Sequence, residues 1–203
     1  HKYLKESESD KKAVIVVTAN RGLAGGYNSN ITRMIIDEGF TKENTVVYAV
    51  GKKGRELLER KGYEIKADYS EAINDPIYKD AKEICDDVLS AFADGEVGEI
   101  YLAYTVFKNT VVHEPQLIRL LPVEADDAAH ETDGSEALMT YEPSEEEALD
   151  MIIPKYVCSL VYGALIESVA SENGARMQAM DSATSNAEEM ISTLSLKYNR
   201  ARQ

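Results

Sequence analysis

Apolar residues are spaced in two different ways along this chain. From Ala13 to Ala19 (AVIVVTA) they run nearly unbroken and β-branched, the mark of a strand buried on both faces. Thr45 to Val50 (TVVYAV) and Glu99 to Phe107 (EIYLAYTVF) repeat that pattern, and Tyr63 to Tyr69 repeats it more weakly. Between these runs the spacing turns helical. Asn28 or Ser29 is placed to cap a helix carrying Ile31, Met34 and Ile35 on one face, with Gly39 near its end. Lys53 to Arg60 reads as a short helix ended by Gly62, and Ile77 to Phe92 as a longer one with Ile84, Val88 and Leu89 on one side. Strand and helix alternate three times, which implies a parallel sheet with helices on both faces, an α/β domain of the Rossmann-like kind. Gln116 to Pro122 follows the last of these strands after a link too short for a helical crossover, so it is expected to join antiparallel. Ala125 to Glu136 reads as an acidic loop and Leu138 to Tyr141 as a last short strand.

From Ser144 the pattern changes for good. Ser144 and Glu147 fit a capping box, and the following sixty residues are helical nearly throughout. Ile153, Val157, Leu160 and Ala164 follow a 4-3-4 spacing, and Met180, Ala183, Ala187, Met190, Leu194 and Tyr198 take it up again. So narrow a stripe kept so long predicts a coiled-coil seam. Pro154 is expected to bend the helix in its third turn. Asn173-Gly174 would ordinarily mark a turn, but glycine inside a helix costs only ~1 kcal/mol, so one continuous helix is predicted. The chain thus divides into a globular part, 1–143, and a long helix, 144–203. The globular part is large enough to cover only the helix's first turns, which leaves the rest of the seam without a partner.

Composition narrows what such a molecule does. A net charge of −14 argues against general nucleic-acid binding and against docking on anionic lipid. The acid is concentrated: Val123 to Asp150 holds eleven Asp and Glu and no Lys or Arg, which reads as a solvated segment or as a face for a basic partner loop. His1 to Lys12 is a charged connector. The start at His1 rather than Met suits a piece of a longer chain, and no apolar run approaches the ~20 residues of a membrane helix. Cys85 and Cys158 form no C-x-x-C pattern and are expected to be reduced, partly buried and inert.

Candidate chemistry centres on Arg21-Gly22-Leu23-Ala24-Gly25-Gly26, between the first strand and first helix. Strand, glycine loop and helix together form the arrangement that holds phosphates on backbone N–H groups. The spacing of Gly22, Gly25 and Gly26 is G-x-x-G-G, neither G-x-G-x-x-G nor a loop ending in G-K-[ST]. An acidic ribose ligand is missing after the second strand, where Gly51-Lys52-Lys53-Gly54 stands. The loop is therefore read as a structural turn that brings helix and sheet close. His1, His113 and His130 stand alone, as surface or loop histidines, without partners at ligand or triad spacing. No catalytic, metal or cofactor-binding residues are expected.

Two stretches carry a family likeness. One is Thr18-Ala19-Asn20-Arg21-Gly22-Leu23-Ala24-Gly25-Gly26-Tyr27-Asn28. The other runs from Ser171-Glu172-Asn173-Gly174-Ala175-Arg176-Met177-Gln178-Ala179-Met180 to Tyr198-Asn199-Arg200-Ala201-Arg202-Gln203. Both resemble the gamma subunit of the F-type ATP synthase, and Tyr141-Glu142-Pro143 and Pro154-Lys155-Tyr156 match as well. The resemblance implies a central-stalk rotor without its own catalytic site. It turns with the membrane sector's c-ring and epsilon inside the alpha/beta hexamer, and so couples proton flow to ATP synthesis at the cytoplasmic face of a bacterial membrane. It also implies an antiparallel coiled coil with an N-terminal gamma helix, which this chain lacks along with the shaft's tip. By position, Arg202 and Gln203 match residues meeting the beta subunits, and Tyr141 and Glu142 match the region at the c-ring. Asn20 departs from the Asp frequent in the family, which puts a charge role there in doubt. A nucleotide-binding enzyme using residues 22–26 and an acidic helical adaptor are the competing readings.

Overall fold

The computed structural model describes residues 1–124 and 144–203. The expected short strand at Leu138 to Tyr141, the acidic loop and the two residues Tyr141 and Glu142 lie outside the described residues. Five strands form one sheet: β1 (Lys12–Val17), β2 (Thr45–Val50), β3 (Glu64–Asp68), β4 (Glu99–Phe107) and β5 (His113–Leu121). Their order is β3-β2-β1-β4-β5; the first four are parallel and β5 joins β4 antiparallel. The helices are α1 (Tyr27–Asp37), α2 (Lys52–Arg60), α3 (Tyr78–Ala93) and α4 (Glu145–Arg202), with a 3-10 turn at Ser70–Asn74.

The β-branched runs become central strands because side chains alternate between two covered faces. Ala13, Ile15, Val17, Val46, Tyr48, Ile100 and Leu102 point to one side, where α3 and α4 cover them. Val14, Val16, Val47, Ala49 and Ala103 point to the other, under Ile31 and Ile35 of α1 and Leu58 of α2.

Residues 153 to 174 of α4, about six turns, lie on the domain. Ile153, Val157, Val161, Ala164 and Leu165 are buried there. This corrects the seam predicted from sequence. Ile153, Val157, Leu160 and Ala164 face the sheet and are one residue out of heptad phase with Met180, Ala187 and Leu194. The stripe in phase with those residues is a different one: Ile152, Tyr156, Ile166, Met177, Met180, Ile191, Leu194 and Tyr198, all exposed. The positions between them at the same spacing, 159, 163, 170 and 173, are also exposed. The helix is apolar on two faces along its first half. That is why, against the expectation that no apolar run approaches a membrane helix, it holds an 18-residue window of mean hydropathy 1.5 with at most two charged residues, long and apolar enough by composition to cross a membrane. Only 33% of that window is buried in the domain.

Ser144 caps α4, its hydroxyl accepting from the Glu147 N–H at 3.4 Å, which is the serine half of the capping box expected there. The helix then continues unbroken through Pro154 and Gly174. Cys85 on α3 and Cys158 on α4 are both buried and free. Burial first, and then the neighbouring Cys158 thiol, push the Cys85 thiol well up, so it stays protonated and unreactive.

Candidate functional site

The sheet changes winding direction between β1 and β4: α1 and α2 pack on one face, α3 on the other. In doubly wound sheets, the crevice beyond the carboxyl ends of two such strands is where ligands lie. The glycine loop, 21–26, leaves β1 at this point. Here the crevice is filled by α4.

The loop is built from its base upward. Thr18 N–H donates to the Val50 carbonyl at 2.9 Å, continuing the ladder beyond β1. The Thr18 hydroxyl accepts from Gly54 N–H at 2.8 Å, and the Ala19 carbonyl from Lys53 N–H at 2.9 Å. The first turn of α2 therefore sits directly on the loop's root. This needs two glycines: a Cβ at Gly51, whose φ is +129°, would run into the Thr18 carbonyl, and one at Gly54 would lie 2.6 Å from the Thr18 side chain. The close approach expected of Gly22, Gly25 and Gly26 is thus made by Gly51 and Gly54. Among the loop glycines, Gly25 earns its place through a φ of +59°. Leu23 takes a similar left-handed conformation, φ 61°, without being glycine, and is 80% exposed.

Neither Asn28 nor Ser29 caps α1; the N-cap is Gly26. Asn28 instead turns its amide oxygen back to accept from Ala19 N–H at 2.8 Å, and the Ser29 hydroxyl donates to the Gly26 carbonyl at 3.2 Å. The residues expected to cap were recruited to tie the loop to its helix. Asn20 uses both ends of its amide: it accepts from Lys52 N–H at 2.9 Å and donates to the Ser70 carbonyl at 2.8 Å. An aspartate could make only the first of these bonds.

The helix α4 crosses the ends of both strands by polar contacts. Thr105 N–H of β4 donates to the Ser168 hydroxyl at 3.4 Å, the Ser171 hydroxyl donates to the Thr105 carbonyl at 3.3 Å, and Phe107 N–H donates to Glu167 at 3.2 Å. On the β1 side the Tyr27 hydroxyl donates to the Ser168 carbonyl at 3.0 Å. Burial, and after it the Glu172 charge, raise the Tyr27 hydroxyl well above its usual range, so it stays a neutral donor. One turn on, Arg176 pairs with Glu172 at 2.9 Å and donates to the Gly22 carbonyl at 3.3 Å and the Arg21 carbonyl at 3.5 Å. Gly174 lets the helix come down on the β4–β5 hairpin: a Cβ there would be 2.8 Å from the His113 ring.

These contacts decide what the loop does chemically. A phosphate needs backbone N–H groups turned toward it. This loop turns two carbonyls toward a guanidinium, and a neighbouring backbone N–H is already taken by Asn28. The adjoining cleft, about 380 Å³ between Ala24, Gly26, Asn30, Ala175 and Ser182, has no Asp, Glu, Lys or Arg in its lining among the described residues. Among the described residues no group of three His, Cys, Asp or Glu gathers as metal ligands. His113 packs on Phe107, with ring centres 5.9 Å apart. His1 lies in the N-terminal loop, as one of the two expected placements has it, with its side chain buried 2.9 Å from Asp150 of α4. His130 is outside the described residues. Arg202 and Gln203 stand exposed at the far end of α4, remote from the loop. Sequence reading gave no role to Gly54 and Arg176, whose partners Thr18 and Gly22 lie 36 and 154 positions away, nor to Glu172, which pairs with Arg176 one turn along the same helix.

Comparison with known proteins agrees with this architecture. A family model described as ATP synthase matches residues 1–203. The ATP synthase gamma chain of Lachnoclostridium phytofermentans is 64% identical over all of this chain, which spans 72% of that relative. The gamma chain of Alkaliphilus metalliredigens is 41% identical, over all of this chain and 71% of the relative. A gamma chain described as sodium ion specific, from Acetobacterium woodii, is also 41% identical, over 99% of this chain and 72% of its own length. Among solved structures, a chain of the Tetrahymena thermophila mitochondrial ATP synthase central stalk and c-ring superposes with a TM-score of 0.66 at 23% identity. It covers 91% of this chain and 83% of its own. A rotor chain of the Euglena gracilis mitochondrial enzyme gives 0.69 at 19% identity, over 97% of this chain and 74% of its own. At those identities the likeness is one of fold.

Proposed function

The chain belongs to the ATP synthase gamma chain family, and from that premise we propose that it is the central-stalk rotor of a bacterial enzyme, joining ion flow through the membrane sector to catalysis in the alpha and beta subunits. It is a gamma chain, a non-catalytic subunit of a membrane-associated complex. The observation that carries the mechanical reading is α4. Its first half is bolted to a globular domain, and its last 20 residues, 183–202, extend about 30 Å beyond it. A helix that leaves its domain with an apolar stripe uncovered is a shaft awaiting a partner.

In this reading 144–203 is the shaft and 1–143 the body that turns with it. These are working parts rather than folding units, since residues 153–174 complete the body's core. The exposed stripe from Ile152 to Tyr198 is the seam for an N-terminal gamma helix. The body rides on the c-ring with epsilon at the cytoplasmic face of the membrane, with Tyr141 and Glu142 on the c-ring side. Arg202 and Gln203 meet loops of the beta subunits, where a guanidinium grips a carboxylate through two parallel donors. An asymmetric shaft turning inside the hexamer gives each beta subunit a different contact at each angle, and so a different nucleotide affinity.

The experiment is assembly of the full-length subunit with alpha, beta and epsilon, as wild type and as Arg202→Ala with Gln203→Ala. Wild type is expected to co-purify and support ATP hydrolysis. The double variant is expected to assemble and turn over more slowly, since loss of one side of a buried interfacial charge pair costs ~2–5 kcal/mol. Equal rates in correctly assembled complexes would remove both residues from the contact. Failure of wild type to assemble would overturn the rotor reading itself.

A further inference from the structure

The buried pair Glu172–Arg176 does something that packing alone does not. Over residues 153–174, α4 is held by apolar side chains and, at Glu167, Ser168 and Ser171, by hydrogen bonds to β4 and Tyr27, all of them short of the point where the helix leaves the domain. Arg176 is the last residue of α4 tied to the domain before the helix becomes exposed. Its guanidinium spans helix and loop: Nη1 faces the Glu172 carboxylate on its own helix, and Nη2 donates to the adjacent carbonyls of Gly22 and Arg21 on the loop beyond β1. Both side chains of the ion pair are only 12% exposed. A planar fork of fixed donors sets direction as well as distance, and the loop it grips is itself pinned at Ala19, Asn20 and Asn28.

We propose that Arg176, oriented by Glu172, is a positioning residue that fixes the angle at which the shaft helix leaves the globular body, so that torque applied to the body reaches the shaft without slack. The inference rests on the rotor reading above. It assigns the pair to coupling rather than to stability. Desolvating two charges consumes most of what their attraction returns, and well-packed apolar replacements of buried pairs are often neutral or stabilising.

That asymmetry supplies the test. The full-length subunit is prepared as wild type, as Glu172→Leu with Arg176→Met, and as Arg176→Lys. Each is assembled into the complete membrane-bound synthase. Three quantities are measured: thermal unfolding of the isolated subunit, ATP hydrolysis, and ion pumping per ATP hydrolysed. The apolar double variant is expected to unfold no earlier than wild type, yet to pump fewer ions per ATP, by about twofold or more. Arg176→Lys keeps the charge but not the fork, and is expected to fall between the two. An unchanged pumping ratio in the assembled double variant would overturn the inference. So would hydrolysis and pumping falling in parallel with an earlier unfolding, the signature of a merely structural pair. If the double variant does not assemble, the pumping ratio of Arg176→Lys decides: a reduced ratio at unchanged thermal stability supports positioning, and a wild-type ratio overturns it. A wild-type synthase that hydrolyses without pumping at all would instead count against the rotor reading.

Discussion

The two halves of α4 are the same helix under different conditions. Residues 153–174 and 177–202 share helical spacing, good helix formers and apolar residues on a regular stripe. In the first half Val157, Val161 and Leu165 are fully buried. In the second Leu194 is 58% and Tyr198 68% exposed. The difference lies in what covers each stripe. Periodicity writes a helix in both places, but in water most helical stability comes from tertiary packing. The first half therefore draws stability from the domain, and the second half is left to draw it from an assembly.

The comparison breaks most visibly by deletion of one side chain in each half. Leu165→Ala is expected to destabilise the chain by ~2–5 kcal/mol, the cost of an apolar cavity in a packed core. Leu194→Ala is expected to change it by no more than about 0.5 kcal/mol, as a surface substitution does. Denaturant titration of both variants checks this, and equal costs would mean that the second half is covered in the isolated chain. With the full-length subunit the Leu194→Ala cost is expected to rise, because the stripe then has its partner.

A smaller effect sharpens the comparison at the boundary between the halves. Tyr27 ties the loop to Ser168 on the covered side, and its hydroxyl titrates above the ordinary 10.0 because of burial and Glu172. A raised acid stabilises the fold fully below its unfolded value, and that contribution is lost as pH rises. Wild type is therefore expected to lose stability above about pH 10 more steeply than Tyr27→Phe. Below that pH the variant costs about 1 kcal/mol, one hydrogen bond. Parallel profiles above pH 10 would mean that Tyr27 ionises unhindered.

Much of this was written in local sequence. The runs at Ala13, Thr45 and Glu99 became β1, β2 and β4 because β-branched runs of that length have few other uses. Ser144 capped α4, and β5 joined antiparallel, for equally local reasons. What escaped was long-range. Asn28 looked like a cap because nothing near it in sequence shows that Ala19 N–H needs an acceptor. Gly54, between Lys53 and Arg55, carried no signal because its reason, Thr18, lies 36 positions away beyond the end of β1. The first half of α4 suggested one seam where there are two faces, since a heptad count does not say which apolar residues a sheet will claim. The glycine loop was read as a structural turn, but its partner Arg176 lay 154 positions away, visible only as part of a family likeness.

The central claim is that this chain turns within its complex. The β4–β5 hairpin offers a handle: Val111 is 64% exposed, while Cys85 and Cys158 are buried. A Val111→Cys subunit, full-length and assembled on a surface with alpha, beta and epsilon whose exposed cysteines have been replaced, takes a bead at that position. With ATP the account predicts sustained rotation of the bead in one direction, stopping when nucleotide is withdrawn. A complex that hydrolyses ATP at the wild-type rate while the bead only fluctuates about a fixed angle would contradict it.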